Sequence, residues 1–158
     1  MIAMASDITP RVAAYPWTAG TGFGTKYSNP ATLPPSLGTS VFFSPNTDDL
    51  AVGHAGSPFI SVYPMTVGSG FGTKYSNPGT LPPANSTRVA FSKNGGDLAQ
   101  TSGTTPFVVA YPWSAGFGTK YTDPASVPSG YSSGVSFSSE PASGFNPAFG
   151  HRRLMIQR

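Results

Sequence analysis

The chain has 158 residues, of which 9% are charged, against about 25% in an ordinary globular domain. It has no cysteine, which excludes disulfides and thiolate metal sites. The formal net charge is +3, but three of the nine basic residues, Arg152, Arg153 and Arg158, lie at the C-terminal end. The preceding sequence has no basic cluster of the kind that nucleic acids require, so we expect no nucleic-acid partner.

The composition also favours a folded β protein over a disordered one. Gly and Pro are frequent, at 19 and 17 residues, while aromatic residues make up 13% of the chain. Disorder requires high net charge and few aromatics, and this chain has neither. No apolar run approaches the roughly 18 residues of a membrane span, and "MIAMASDITP" lacks the regions of a signal peptide. We expect a soluble protein without a secretion signal.

The first predicted strand is "PRVAAYPW" at 10–17, and "GFGTKYSNP" at 22–30 follows it. A proline-rich connection leads to "VFFS" at 41–44, the turn "PNTDD" at 45–49 and the run "DLAVGHA" at 49–55. "PFISVYPM" at 58–65 then repeats the first strand. Each run is short, rich in β-branched and aromatic residues, and bounded by Gly, Pro, Asn, Asp or Ser, which predicts strands separated by turns.

The whole set recurs, which predicts about three copies of one unit. Tyr15, Tyr63 and Tyr111 are 48 residues apart, and the third "GFGTKYTDP" at 116–124 follows the second after 46 residues. "VAFS" at 89–92, the turn "KNGGD" at 93–97, and "VSFS" at 135–138 continue the series. The core is predicted to contain Phe43, Phe91, Phe137, Leu50, Leu98, Ile60, Val108, Tyr15, Tyr63 and Tyr111.

The pattern "VAFSKNGGDLAQ…TPFVVAYPW" resembles WD40-like β-propeller repeats of the kind found in bacteriophage proteins. The resemblance covers residues 9–139 and implies four-stranded blades of about 48 residues. It divides the chain into a lead-in at 1–9, three blade repeats at 10–139 and a divergent basic tail at 140–158. The tail is either a truncated continuation of the repeats or an ordinary divergent terminus.

Three blades are too few for a closed propeller, which has about four to eight. We therefore expect an all-β fold whose ring is completed by self-association of two or three chains. A β-solenoid or sandwich made of the same hairpins is the alternative fold.

Residues that could carry chemistry are few, and we expect no catalytic residue, metal site or cofactor. Asp48, Asp49 and Asp97 fall in predicted turns, where Asp bonds to the local backbone, and His54 is expected to be a structural histidine. The repeated aromatic and lysine side chains form the candidate ligand site, because an aromatic ring beside a cation can dock a sugar or an acidic group. These residues are Trp17, Lys26, Tyr27, Lys74, Tyr75, Trp113, Lys120 and Tyr121. The alternative is an exposed lysine beside a tyrosine that packs between blades.

Two functions remain open at this stage. The resemblance to phage repeats implies a non-enzymatic virion protein of the tail, the adsorption apparatus or the capsid surface, which binds itself and other virion proteins. The alternative is a lectin-like propeller with repeated carbohydrate sites between blades. An excised fragment without a function of its own is the third possibility.

Overall fold

The computed structural model describes residues 1–138, which contain β-strands and no helix. The all-β prediction is confirmed. The strands are β1 (Ile2–Ala5), β2 (Val12–Tyr15), β3 (Trp17–Thr18), β4 (Gly22–Phe23), β5 (Gly38–Phe43), β6 (Asp49–His54), β7 (Ile60–Thr66), β8 (Gly70–Phe71), β9 (Ser86–Phe91), β10 (Asp97–Ser102) and β11 (Val108–Pro112). They form several small antiparallel sheets.

Three repeated units organise these strands. In unit 2, strands β5, β6, β7 and β8 pair with their chain neighbours in one four-stranded antiparallel sheet. Unit 3 has the equivalent β9–β10–β11 sheet, and a single bridge between Trp113 and Phe117 takes the place of a fourth strand. Unit 1 consists of two pairs, β1 with β2 and β3 with β4. The internal repetition of the sequence is therefore also a repetition of strand order.

Unit 1 starts with a strand that the sequence analysis does not predict. The segment 1–9, set apart there as a lead-in, contains β1, and Ile2 pairs with Tyr15 as Leu50 pairs with Tyr63 in unit 2. By this register, β1 is the counterpart of β6, and Met1 occupies the position of Asp49. The letters "IAMA" do not resemble "LAVG" closely enough to reveal this equivalence from sequence.

Both predicted hairpin turns are present. "PNTDD" joins β5 to β6, and "KNGGD" joins β9 to β10. The second turn needs a residue with positive φ, which Gly95 provides at φ 69° without the steric cost that a Cβ would bring. The Asn46 side chain donates to the Asn94 carbonyl over 2.6 Å, so the turns of neighbouring units touch.

The turn before each third strand is also repeated. Each contains a cis X–Pro bond at Pro10, Pro58 or Pro106, followed by a non-glycine residue with φ near 70°. In unit 2 this residue is Phe59, whose N–H donates to the Gly56 carbonyl and whose own carbonyl accepts from the His54 N–H. The same hydrogen bonds recur in unit 3, so the turn is part of the repeated structure.

The core lies between units, because neighbouring units pack their sheets face to face. One cluster contains Leu50 and Val52 of unit 2 together with Val12 and Tyr27 of unit 1. The other contains Ala51 of unit 2 together with residues of unit 3. All six residues of β6 are buried. Alternate side chains of β6 therefore serve different junctions, as the period of two along a strand requires.

Most predicted core residues are buried, namely Phe91, Leu50, Leu98, Ile60, Tyr63 and Tyr111. The others are only half-buried, namely Tyr15, Phe43, Val108 and Phe137. Phe43 faces an open groove between β1 and β5. Some of these half-buried residues, such as Phe43, lie where no further unit covers them within residues 1–138.

The segment 124–138 follows unit 3 and runs back beside β9. The Thr87 hydroxyl donates to the Ser132 carbonyl, and Phe137 lines one groove with Ala90 and Phe91. This segment includes "VSFS" at 135–138, which follows "VFFS" and "VAFS" as the third copy of that run. It lies beside β9 as β9 lies beside β5. The predicted tail at 140–158 lies outside the described residues.

Candidate functional site

The junctions between units gather the repeated aromatic residues. After the short fourth strand, the "FGTKY" motif runs beside the third strand of its own unit: the N–H groups of Gly72 and Tyr75 donate to the Pro64 and Val62 carbonyls over 2.7 and 2.9 Å. Units 1 and 3 have the same pair of bonds. The motif tyrosine is thereby fixed at one edge of its unit.

The three motif lysines are bound within their own motif. Lys74 Nζ donates to the Tyr75 carbonyl over 2.9 Å and to Asn77 Oδ1 over 2.7 Å. Lys26 does the same with Tyr27 and Asn29, and Lys120 with Tyr121 and the Asp123 carboxylate. Partial burial lowers the pKa of Lys74. Each ammonium group closes a local loop, and a role of these lysines in ligand binding stays a prediction.

The tyrosines of units 1 and 2 pack between units, as the alternative interpretation of the motif predicts. Tyr27 is buried and belongs to the same cluster as Met65 of unit 2. Tyr75 meets the ring of Trp113 of unit 3 edge-on, with a centroid distance of 5.1 Å. Two of the predicted ligand residues, Tyr75 and Trp113, are therefore brought together, but as a buried contact.

A buried carboxylate holds the junction of units 2 and 3. Asp49 is 2% exposed, and its Oδ2 accepts from Trp113 Nε1 over 3.0 Å and from the Thr47 hydroxyl over 2.7 Å. Its Oδ1 accepts from the Tyr75 hydroxyl over 3.0 Å. Burial, followed by this hydrogen bond, raises the pKa of Tyr75. A buried charge must be hydrogen-bonded to be tolerated, and three donors from two units meet that requirement.

The junction of units 1 and 2 has the same layout with apolar side chains. Met65 stands in the position of Trp113, and Met1 in that of Asp49. Both pack in the cluster that contains Tyr27. The Tyr27 hydroxyl accepts a longer bond, 3.3 Å, from the Gly68 N–H of unit 2.

The remaining predicted aromatic residues lie on the outer faces of the end units. On unit 3, the Tyr121 hydroxyl donates to Asp97 Oδ1 over 2.7 Å, which raises the pKa of Tyr121; the ring is 48% exposed. On unit 1, Trp17 is also 48% exposed and packs edge-on against Phe23, with centroids 5.1 Å apart. These two positions correspond to residues that are buried at the internal junctions.

His54 is a structural histidine, as predicted. It is fully buried, and its Nδ1–H donates to the Gly56 carbonyl at 2.7 Å while Nε2 accepts from the Ser61 hydroxyl at 3.0 Å. Burial lowers the pKa of His54 to about 4, and the positive charge of Lys74 acts in the same direction. At the equivalent positions, Ser6 and Ser102 donate to the Ile8 and Thr104 carbonyls.

Asp49 and Asp97 are the residues whose role the sequence analysis misses. Both follow a turn, as predicted, but their carboxylates bind tyrosine or tryptophan rather than the local backbone. A signal exists in the repeat: Asp49 is matched by a tryptophan in the next unit, Trp113, whereas Met1 is matched by Met65. The alignment reveals this only once β1 is placed opposite β6.

No protein-family model and no curated protein matches the sequence. Within residues 1–138, no three His, Asp or Glu side chains converge as metal ligands would. The same residues include no helix long and apolar enough to cross a membrane.

Proposed function

We propose that the chain is a non-enzymatic structural protein that self-associates through its repeated β units. The observation that supports this most directly is the contrast between the covered and uncovered faces of the units. The two middle strands of unit 2, β6 and β7, lie between neighbouring units and are almost entirely buried. Trp17 and Phe23 of unit 1, and Tyr121 of unit 3, leave large aromatic surfaces open at the two ends of the array.

The geometry favours a propeller-type arrangement of these units. Unit 2 is a four-stranded antiparallel meander in chain order, which is the pattern of a propeller blade. Successive units also bring their first strands, β5 and β9, side by side. Two chains would supply six such units, within the range of about four to eight for closed propellers.

The biological setting is proposed from the resemblance to phage repeats. A virion component that acts through protein contacts needs a rigid, repeated surface and no catalytic group, and both features suit this chain. Such a protein would occupy the tail, the adsorption apparatus or the capsid surface, and would bind itself and other virion proteins.

The test is the molar mass of the 158-residue chain in solution, measured by light scattering after size exclusion from nanomolar to micromolar concentration. We expect a dimer or a trimer at micromolar concentration that dissociates on dilution. A monodisperse monomer at every concentration would contradict the proposal.

Carbohydrate binding is the alternative proposal, and the exposed Trp17–Phe23 pair is the observation that favours it, because sugars dock on exposed aromatic rings. It is the weaker proposal because the motif lysines are bound internally and Tyr27 is buried. A glycan array with the native chain and with Trp17→Ala decides between the two: binding that depends on Trp17 supports the lectin, and no binding to any glycan contradicts it.

A further inference from the structure

Within residues 1–138, the outer faces of units 1 and 3 carry the counterparts of the two halves of an internal junction. Trp17 on unit 1 has the position of Trp113, and the Asp97–Tyr121 pair on unit 3 has the position of Asp49 and Tyr75. We propose that Trp17 of a second copy of this chain packs on Tyr121 and donates its Nε1–H to Asp97, as Trp113 does to Asp49 within one chain. This inference rests on the self-association proposed above and specifies its interface.

The hydrogen-bond acceptor for Trp17, the Asp97 carboxylate, is already in place on unit 3. Asp97 opens its strand opposite Pro112, as Asp49 does opposite Pro64, and each accepts from the motif tyrosine of its own unit. At the internal junction, the second carboxylate oxygen of Asp49 receives Trp113 Nε1. Within residues 1–138, Asp97 Oδ2 has no hydrogen-bond donor and Trp17 Nε1 has no acceptor, so each supplies what the other lacks.

The chemistry of the two positions changes together along the chain. Where the carboxylate is present, at Asp49, the next unit presents a tryptophan with an N–H donor. Where Met1 replaces it, the next unit presents Met65, which needs no partner. Asp97 is of the first kind, so a donor from the unit that follows would complete it as Trp113 completes Asp49. Trp17 provides that donor, whereas a methionine at this position would not.

An open groove at unit 1 fits a strand that is present in the same chain. The groove has a volume of about 390 Å³ and lies between β1 and β5, lined by Met1–Ala3 and Val41–Phe43. Beside β6, the corresponding place is filled by β5 with its Val41 and Phe43. Residues Val135 and Phe137 repeat this pattern beside β9, and no strand pairs with them within residues 1–138.

The register of this strand pairing follows from unit 2. There Val41 pairs with Val52 and Phe43 with Leu50. The equivalent pairing places Val135 of one copy opposite Met4 of the second, and Phe137 opposite Ile2. Both the strand pairing and the Trp17 contact occur at the same junction, from unit 3 of one copy to unit 1 of the next, so one docking event satisfies both.

A tyrosine hydroxyl adds a third contact at this junction. Tyr63 and Tyr111 donate to the Thr32 and Thr80 carbonyls in the connection that precedes their own unit. By the same spacing, Tyr15 of the second copy reaches the Ser126 carbonyl. The proposed interface is head to tail, and joining two different faces in this way closes a ring when the rotation permits. Two copies would close it with six units.

The central experiment compares the dissociation constants of native, Trp17→Ala and Asp97→Ala chains, with folding checked by circular dichroism. A buried tryptophan at the centre of an interface is a typical hot spot, so we expect Trp17→Ala to raise the Kd by roughly 30-fold or more. The matched control is Val67→Ala, which truncates another exposed apolar side chain, on unit 2, and should leave the Kd unchanged.

Replacing Trp17 and Asp97 by methionine, singly and together, tests whether the two side chains interact directly. Trp17→Met and Asp97→Met should each weaken association by about tenfold or more, since each leaves one polar group without its partner. The double variant W17M/D97M copies the Met1–Met65 junction and should recover most of the native affinity. Equal or greater weakening in the double variant would overturn the inference.

Tryptophan fluorescence keeps the test independent of substitution. On dilution of the native chain, Trp17 passes from a buried contact to water, so the emission should shift to longer wavelength at the same concentration at which the mass falls; Trp17→Phe should abolish the shift. If the native chain assembles but W17A assembles equally well, the proposed function stands and this interface is wrong. If the native chain never assembles, both are wrong.

Discussion

The two internal junctions use one backbone arrangement and two kinds of side chain. Between units 1 and 2, Met65, Tyr27 and Met1 pack as an apolar group. Between units 2 and 3, Trp113 and Tyr75 bind a buried Asp49 carboxylate. The strand pairings and the motif hydrogen bonds are the same on both sides, so the backbone geometry does not depend on which set is present.

At the polar junction, replacing either Asp49 or Trp113 alone leaves the other without their shared hydrogen bond. A carboxylate stripped of water is tolerated when donors satisfy it and is costly when they do not. A methionine makes no such demand and adapts to the space available. The polar junction therefore depends on matched donors and acceptors, while the other depends mainly on packing.

The largest expected effect comes from breaking the polar junction at its centre. Trp113→Ala removes a side chain that is 4% exposed and that contacts Tyr75, Phe91 and Phe117. We expect a loss of about 3–5 kcal/mol in the free energy of unfolding, measured by urea denaturation. Trp113→Phe keeps most of the ring and loses the N–H, so it should cost about 1–3 kcal/mol. Equal losses for the two variants would show that packing of the ring contributes nothing.

The next largest effect is a pH dependence that arises at the other end of β6, where unit 2 has His54 and units 1 and 3 have serine. Burial lowers the pKa of His54 from 6.5 to about 4 in the folded chain. Between these values the unfolded chain binds a proton that the folded chain does not, so stability is highest above pH 6.5 and falls as the pH drops to about 4. The loss should total about 3 kcal/mol.

The matched control copies unit 3 into unit 2. The double variant H54S/S61V reproduces the Ser102–Val109 pair and retains a hydroxyl donor for the Gly56 carbonyl. It should fold and lose most of the dependence on pH between 6.5 and 4. An unchanged slope in this variant would assign the acid sensitivity to groups other than His54.

The smallest effect compares the motif tyrosines of the two internal junctions. Tyr75→Phe removes a hydroxyl that donates to the Asp49 carboxylate, and we expect a cost of about 1–2 kcal/mol. Tyr27→Phe removes only a long bond accepted from the Gly68 N–H and should cost less than about 1 kcal/mol. Thermal denaturation of the two variants in parallel measures the difference. A larger loss for Tyr27→Phe would reverse the assignment of polar and apolar junctions.

The sequence predicts the strands of this protein better than it predicts the site. Runs such as "PFISVYPM" and the turn at Asn94-Gly95 can be recognised in the sequence, because their local chemistry permits few other structures. β1 was missed because "IAMA" carries no such local signal, and its pairing with β2 depends on contacts across the unit. The repeat singles out Tyr75 and Trp113, which do meet, but their role in ligand binding stays a prediction, and the sequence indicates only a turn for Asp49 between them.

By itself, the sequence determined the all-β class, the threefold repetition, the positions of most strands and turns, and the burial of alternating apolar residues, because these depend on spacing within one unit. Only the tertiary structure decided which residues meet across units. Asp49 and Trp113 are 64 residues apart in the sequence. Their hydrogen bond contributes to stability because both side chains are buried, and that burial exists only once the two units pack together. The local sequence determines where strands form, whereas the burial of polar groups between units determines which side chains pair.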